Sequence, residues 1–129
     1  MKNKLLTKIN GFYLQEASVT IYTKFFHKEI GTIHVTCSYN GNEYCIQYFQ
    51  VREKYRNKGI GRKLIEAMKK EVAKDGGTSI TVYPYSFGYE GDSTITTETL
   101  YTIYQHLGFQ FKSENVDKKA SKHLMYINI

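Results

Sequence analysis

The residues best suited to chemistry form a short basic loop at positions 56–61, which read Arg56, Asn57, Lys58, Gly59, Ile60 and Gly61. Glycine tolerates a positive φ and has no Cβ, so Gly59 and Gly61 can expose main-chain N–H groups to a ligand. An amphipathic helix is predicted to begin here, and the N–H groups of a first helical turn are unpaired and partly positive. Arg62 and Lys63 add formal charge. The loop is therefore suited to a phosphate or pyrophosphate.

Two common phosphate-binding patterns do not fit this loop. The Walker pattern G-x-x-x-x-G-K-[ST] requires a glycine where Arg56 stands and a lysine where Arg62 stands. The dinucleotide pattern G-x-G-x-x-G requires a third glycine where Leu64 stands. The residues at these spacings therefore exclude both the Walker and the dinucleotide-binding patterns.

The loop resembles the acetyl-CoA-binding motif of the GNAT family of N-acetyltransferases, usually written [RQ]-x-x-G-x-[GA]. As in that family, an apolar strand residue, here Val51, precedes the motif, although Glu53 replaces the usual proline. A basic strand-to-helix turn without a ligand is the alternative interpretation of these six residues. The resemblance implies a set of residues that bind acetyl-CoA: Phe49, Val51, Arg56, Asn57, Lys58, Gly59, Ile60, Gly61 and Arg62.

A second motif lies at residues 100–109, which read LYTIYQHLGF and resemble the later GNAT motif Y-x-x-x-G-F. Tyr104 occupies the tyrosine position. Periodicity alone would make Tyr104 an ordinary core aromatic. Two motifs in the family's order, separated by one predicted strand, favour the family more strongly than either motif does alone.

The resemblance implies transfer of an acetyl group from acetyl-CoA to an amine by direct attack. Val51 N–H would bind the thioester oxygen, and Tyr104 would assist departure of the CoA thiolate, which makes these two the predicted catalytic residues. An amine with a pKa of ~10.4 must first lose a proton, at a cost of about 4.6 kcal/mol at pH 7. The general base stays open among His34, Glu90 and Glu98.

The elements that must position these residues begin with three strands. Residues 18–26, 30–37 and 43–51 alternate apolar and polar side chains, and Asn40-Gly41 is typical of a hairpin turn. They predict an antiparallel meander. Residues before Gly11 allow either a short first strand or a frayed end.

The second half of the chain predicts a strand–helix–strand unit and a further helix. The apolar stripe Ile60, Leu64, Met68 and Val72 predicts a helix that ends at Asp75-Gly76-Gly77, and residues 79–83 predict a strand parallel to the one ending at Val51. A second helix is predicted at residues 97–107, and strands at residues 109–111 and 123–129. Its apolar positions are Leu100, Ile103, Tyr104 and Leu107.

The predicted fold is therefore α/β (α+β), a mixed sheet of about six to seven strands in a single domain spanning residues 1–129. An antiparallel meander is followed by a β-α-β crossover and a second helix. It is GNAT-like with the N-terminal helices missing, because residues 1–17 are too few to form them. Those helices form part of the family's acceptor site. Here that side is open, completed by a second protomer in a homodimer, or walled by the loop at residues 85–97.

Composition and charge limit the function classes. Of 129 residues, 41% are hydrophobic, and no apolar run or signal peptide directs the chain to a membrane, which predicts a cytoplasmic protein with Cys37 and Cys45 as reduced packing residues. Residues 52–74 contain nine Lys or Arg against three Glu, whereas residues 75–111 contain no Lys or Arg. A cationic amine acceptor is therefore expected on the second side, near Glu90 and Asp92.

Two other function classes stay open. An acyl-CoA-binding module without catalysis fits the lack of an evident base. A nucleic-acid-binding domain, the least favoured partner class, would use basic residues 52–74 with Tyr55. No metal site is predicted.

Overall fold

The computed structural model of the chain describes residues 6–9, 12–16, 19–37, 42–84, 95–120 and 123–129. Two compact units are distinguished, Met1–Ile80 with Ile129, and Thr81–Asn128. The described residues form these elements: β1 Leu6–Ile9, β2 Phe12–Glu16, β3 Val19–Phe25, β4 Lys28–Cys37, β5 Glu43–Val51, α1 Ile60–Lys74, β6 Ser79–Val82, α2 Thr97–His106, β7 Gln110–Phe111 and β8 Met125–Asn128. Within the described ranges, neither helix is long and apolar enough to cross a membrane.

The first unit is built on an antiparallel meander in which β1 to β5 pair in chain order. The predicted three-strand meander is confirmed, but β1 and β2 extend it, so the described strands number eight rather than six to seven. Ile9 faces Phe12 in the β1–β2 register. The intervening residues are Asn10-Gly11, a hairpin-favouring pair whose significance the sequence interpretation missed. Asn40-Gly41 lies outside the described residues.

One face of this meander packs on α1. Ile21, Ile33 and Val35 are buried there, because alternate residues of a strand point to one face. A bulge between His34 and Val35 leaves Gln47 as the extra residue of β5. Beyond the bulge, β5 continues to Val51 with its register to β4 intact. The bulge therefore sets which β5 side chains face α1 near the strand's end.

Helix α1 buries Leu64, Ile65, Met68 and Val72. The predicted stripe is confirmed from Leu64 onward, while Ile60 is only half-buried and Ile65 was not predicted. At the end of the helix, the Tyr44 hydroxyl donates to the Asp75 carboxylate. This hydrogen bond and burial raise the pKa of Tyr44. The end of α1 is thus joined to the start of β5.

Gly77, just after α1, is enclosed by buried side chains. A Cβ there would lie 2.3 Å from Val72 Cγ1 and 2.9 Å from the Tyr44 ring. We expect Gly77→Ala to lower the free energy of unfolding by about 1–3 kcal/mol through overpacking. Gly76→Ala is the control, because its Cβ meets nothing within 4 Å and only its φ of +85° is unfavourable. Urea denaturation that shows Gly77→Ala to be as stable as the wild type would contradict this.

The second unit contains α2 and the antiparallel pair β7 and β8. Thr96 caps α2 by accepting from Thr99 N–H, at 3.1 Å. The predicted apolar stripe is wrong in part: Tyr101 and Tyr104 are buried, whereas Ile103 is 38% exposed. The reason is tertiary, since the Tyr101 hydroxyl donates to the Ala120 carbonyl and its ring packs on Phe111.

Both cysteines stand on paired strands, with Cys37 on β4 and Cys45 on β5. Both are free thiols in the structure. Their predicted packing role is wrong, because Cys37 is exposed and Cys45 is half-buried.

Candidate active site

The glycine-containing loop lies between the end of β5 and the start of α1. A single 3-10 turn, Glu53–Tyr55, follows β5. Asn57 and Gly59 then adopt left-handed conformations, with φ of 61° and 81°. Left-handed residues at such short spacing turn the backbone sharply, which allows neighbouring N–H groups to converge on one anion.

Helix α1 begins at Ile60, and its N-cap residue, Gly59, has no side chain to cap it. Its first intrahelical hydrogen bond is Lys63 N–H to the Gly59 carbonyl, at 3.1 Å. The N–H groups of Ile60, Gly61 and Arg62 precede that bond, so the helix itself supplies no acceptor for them. No acidic residue stands in the first turn, and Lys58 is exposed beside it. The helix start is therefore positive and open to an anionic group.

Val51 ends β5 with its N–H directed away from β4. Val51 faces Gly31, and the next N–H, that of Arg52, donates to the Ile30 carbonyl at 2.8 Å. In an antiparallel ladder, this makes Gly31 and Val51 a non-hydrogen-bonded pair whose N–H groups point outward. On that outer side, Thr78 N–H bonds the Asn42 carbonyl just before β6 starts.

The side chains of Phe49 and Val51 lie beneath the first turn of α1. A Cβ on Gly61 would be 3.4 Å from Phe49 Cζ and 3.8 Å from Val51 Cγ2. These two predicted acetyl-CoA residues therefore support the loop from below. Arg56 is connected to the same strand end, since its Nε donates to the Val51 carbonyl at 2.7 Å. Nothing in the sequence interpretation predicted this contact.

Tyr104 lies in the second unit, on the buried side of α2. Its ring meets the ring of Phe109 edge to face, with centroids 5.3 Å apart, and its carbonyl accepts from Phe109 N–H at 3.0 Å. Burial raises the pKa of Tyr104 above its ordinary value. The phenol therefore stays protonated at neutral pH and is able to donate a hydrogen bond.

Comparison with protein families agrees with both motifs. Residues 10–111 match the sequence profile of the acetyltransferase (GNAT) domain. The chain belongs to the GNAT acetyltransferase family. It is accordingly an acetyl-CoA-dependent N-acyltransferase, as the two motifs predicted.

Solved structures share the fold of this GNAT chain. It is similar to an aminoglycoside 6'-acetyltransferase type Ii, with a TM-score of 0.67 at 20% identity over 88% of this chain and 70% of that one. It is also similar to an aminoglycoside 6'-N-acetyltransferase complexed with coenzyme A, with a TM-score of 0.65 at 16% identity over 88% of this chain and 74% of that one. An acetyltransferase of the GNAT family from Staphylococcus aureus Mu50 is a further match, with a TM-score of 0.65 at 18% identity over 85% of this chain and 66% of that one. No curated protein sequence matches the chain significantly.

Two of the three candidate bases of this GNAT enzyme lie on described elements, His34 on β4 and Glu98 on α2. His34 on β4 lies opposite Tyr48 of β5, and its Nδ1 is 2.6 Å from Thr20 Oγ1. Glu98 is exposed in the first turn of α2. The third candidate base, Glu90, lies outside the described residues. So does Asp92, which together with Glu90 is predicted to bind the acceptor. The general base stays open.

The glycine at the helix start offers a test of the loop in this GNAT enzyme. We expect Gly59→Val to raise the Kd for acetyl-CoA about 10–100-fold, as the loss of one or two hydrogen bonds to a charged phosphate would. Gly76→Val is the matched control: both positions have positive φ and open space around a Cβ, at opposite ends of α1. Calorimetric titration should separate them, and equal affinities in two folded variants would contradict the assignment.

Proposed function

We propose that residues 1–129 act as one domain that transfers the acetyl group of acetyl-CoA directly to a primary amine of a small molecule or protein. The observation that carries the proposal is the combination found in residues 51–62. A strand-end N–H directed away from β4 is followed within ten residues by an uncapped, glycine-containing helix start. The first suits a thioester oxygen and the second a pyrophosphate. The GNAT match, which runs through both compact units, supports a single domain.

The predicted loop and catalytic residues have the following roles in this proposal. The backbone of residues 56–62 binds the CoA pyrophosphate, with Arg56, Lys58 and Arg62 adding positive charge. The unprotonated amine attacks the thioester carbon, a C–N bond forms, and the developing oxyanion accepts a hydrogen bond from Val51 N–H. The C–S bond then breaks with its electrons on sulfur, and the Tyr104 hydroxyl stabilises the thiolate. The attacking amine loses its surplus proton to a base or to water.

The charge distribution favours a cationic acceptor. Residues 75–111 contain four acidic residues and no Lys or Arg, so a protonated amine is attracted to this part of the chain and repelled by residues 52–74. We propose that Glu90 and Asp92 bind it. Two similar structures are aminoglycoside acetyltransferases, and aminoglycosides are polycationic amines, which makes them sensible first substrates.

An amine panel tests the function. The wild-type chain is incubated with acetyl-CoA and an aminoglycoside, a polyamine, a lysine peptide or an uncharged amine, and released thiol is measured. We expect release with at least one cationic amine and product mass increased by one acetyl group. Acetyl-CoA binding without release by any amine would favour the non-catalytic module. A wild-type chain that does not bind acetyl-CoA would contradict the proposal.

Location and assembly complete the proposal. We propose a cytoplasmic enzyme, because two free thiols suit a reducing compartment. A homodimer is the alternative to a monomer if a second protomer completes the acceptor side. Sedimentation with and without acetyl-CoA distinguishes them.

A further inference from the structure

The Arg56 side chain joins the two halves of residues 51–62. Its Nε–H donates to the Val51 carbonyl at 2.7 Å, and the side chain is half-buried. Between the two residues, the 3-10 turn is closed by Tyr55 N–H to the Arg52 carbonyl, 2.8 Å, and Arg56 N–H to the Glu53 carbonyl, 3.2 Å. The end of β5 and the start of the loop are therefore connected both through the Arg56 side chain and through the backbone of the 3-10 turn.

The peptide group between Val51 and Arg52 is held on both sides. Its carbonyl accepts from Arg56, and its N–H donates to the Ile30 carbonyl at 2.8 Å. A planar peptide fixed at both polar ends restricts the dihedral angles of the residues it joins. In extended backbone, the N–H and carbonyl of one residue point to the same side, so the Arg56 contact lies on the side to which Val51 N–H is directed.

We propose that Arg56 is a positioning residue for acetyl transfer, acting through the Nε–H that it donates to the Val51 carbonyl. This contact holds Val51 N–H at the angle required by the thioester oxygen and sets where the pyrophosphate loop begins. The inference rests on the proposed function and deepens it. The Arg56 side chain thereby differs from that of Lys58, which is exposed and contributes charge.

Side-chain chemistry separates positioning from charge. Glutamine carries its N–H donor on Cδ, the same position as Nε of arginine, but has no charge. Lysine keeps the charge but has a carbon there, with its donor one bond further out. Methionine has neither the donor nor the charge. If Arg56 acts by positioning, Arg56→Gln should therefore be more active than Arg56→Lys and Arg56→Met. If Arg56 acts through its charge on the phosphates, Arg56→Lys should be the most active of the three.

The test compares Arg56→Gln, Arg56→Lys and Arg56→Met with an acceptor amine that the wild type uses. We expect Arg56→Gln to keep kcat within about fivefold of wild type, because it retains a hydrogen bond of neutral strength. Arg56→Met and Arg56→Lys should lower kcat about 10–100-fold, the scale for misplaced catalytic geometry. KM for acetyl-CoA should rise in the same two variants, because the loop start also shifts.

Arg52→Met is the matched control. It removes an equal charge and a comparable bond, Arg52 Nε to the Glu29 carbonyl at 2.6 Å, without touching the Val51 carbonyl. Its kcat should stay close to wild type, and Tm is measured for every variant. Lysine rescuing kcat better than glutamine, or all three Arg56 variants matching wild type, would overturn the inference. Failure of the wild type to bind acetyl-CoA would instead remove the proposed function.

Discussion

Replacing Val51 by proline should lower kcat about 10²–10³-fold, the cost of losing one oxyanion donor. The substitution removes the N–H and leaves the carbonyl that accepts from Arg56. It breaks no bond to β4, because Val51 and Gly31 form a non-hydrogen-bonded pair. The preceding residue, Gln50, is already in a strand, which is the conformation that proline prefers before it. KM for acetyl-CoA should change little by comparison.

Val51→Ala is the control, since it keeps the N–H and shortens only the side chain beneath Gly61. Thiol release under saturating acetyl-CoA gives kcat for both variants. An amide-to-ester replacement at the Gln50–Val51 peptide removes the same N–H without a ring, and should reproduce the loss if proline perturbs the fold. Unchanged kcat in the folded ester variant would show that Val51 N–H is not the donor.

Replacing Tyr104 by phenylalanine should slow acetyl transfer about 10–1,000-fold while acetyl-CoA still binds. Only the hydroxyl is lost, and the ring can keep its contact with Phe109. Because burial raises the pKa of Tyr104, full proton transfer to a CoA thiolate is uphill. We therefore expect the hydroxyl to act by donating a hydrogen bond to the sulfur as it leaves.

Tyr101→Phe is the matched control on the same helix. Its hydroxyl donates to the Ala120 carbonyl and accepts from His123 N–H at 3.4 Å. Its removal should cost about 1–2 kcal/mol of stability and leave kcat unchanged below the Tm. Single-turnover rates and thermal melts distinguish the two tyrosines. A Tyr104→Phe variant with wild-type single-turnover rates would make Tyr104 a core residue only.

The raised pKa of Tyr104 also has consequences at high pH. The folded pKa of Tyr104 lies above the unfolded value of ~10, so the unfolded chain ionises first as the pH rises; the contribution of Tyr104 to stability is therefore complete below about pH 10 and declines above it. The kcat profile of the wild type should accordingly show no loss from Tyr104 ionisation below about pH 10.

Local patterns were sufficient for the parts of the fold that depend on neighbours in sequence. The strands that became β3, β4 and β5 alternate regularly, and α1 ends at Lys74, directly before the predicted stop Asp75-Gly76-Gly77. The loop at residues 56–61 could also be predicted from the sequence, because its glycines and the start of the helix lie within a few residues of each other. β2 was missed although Asn10-Gly11 indicates a hairpin.

Other features depended on partners distant in sequence. Tyr101 rather than Ile103 is buried on α2 because a carbonyl at Ala120, nineteen residues away, accepts its hydroxyl. The bulge at Gln47 depends on how β5 pairs with β4. Likewise, no pattern indicates that Arg56 donates to the Val51 carbonyl, since a side chain this long reaches many acceptors.

The sequence by itself thus indicated the family and the co-substrate through two motifs, and it predicted the residues of the pyrophosphate loop. The prediction of a phosphate-binding loop follows from backbone freedom at glycine and from the charge at a helix start, both of which are local properties. Only the tertiary structure decided that Val51 N–H points away from β4 and that Arg56 holds the adjoining carbonyl. The direction of a strand N–H depends on pairing register, and a side chain's partner depends on which acceptor folding brings within reach.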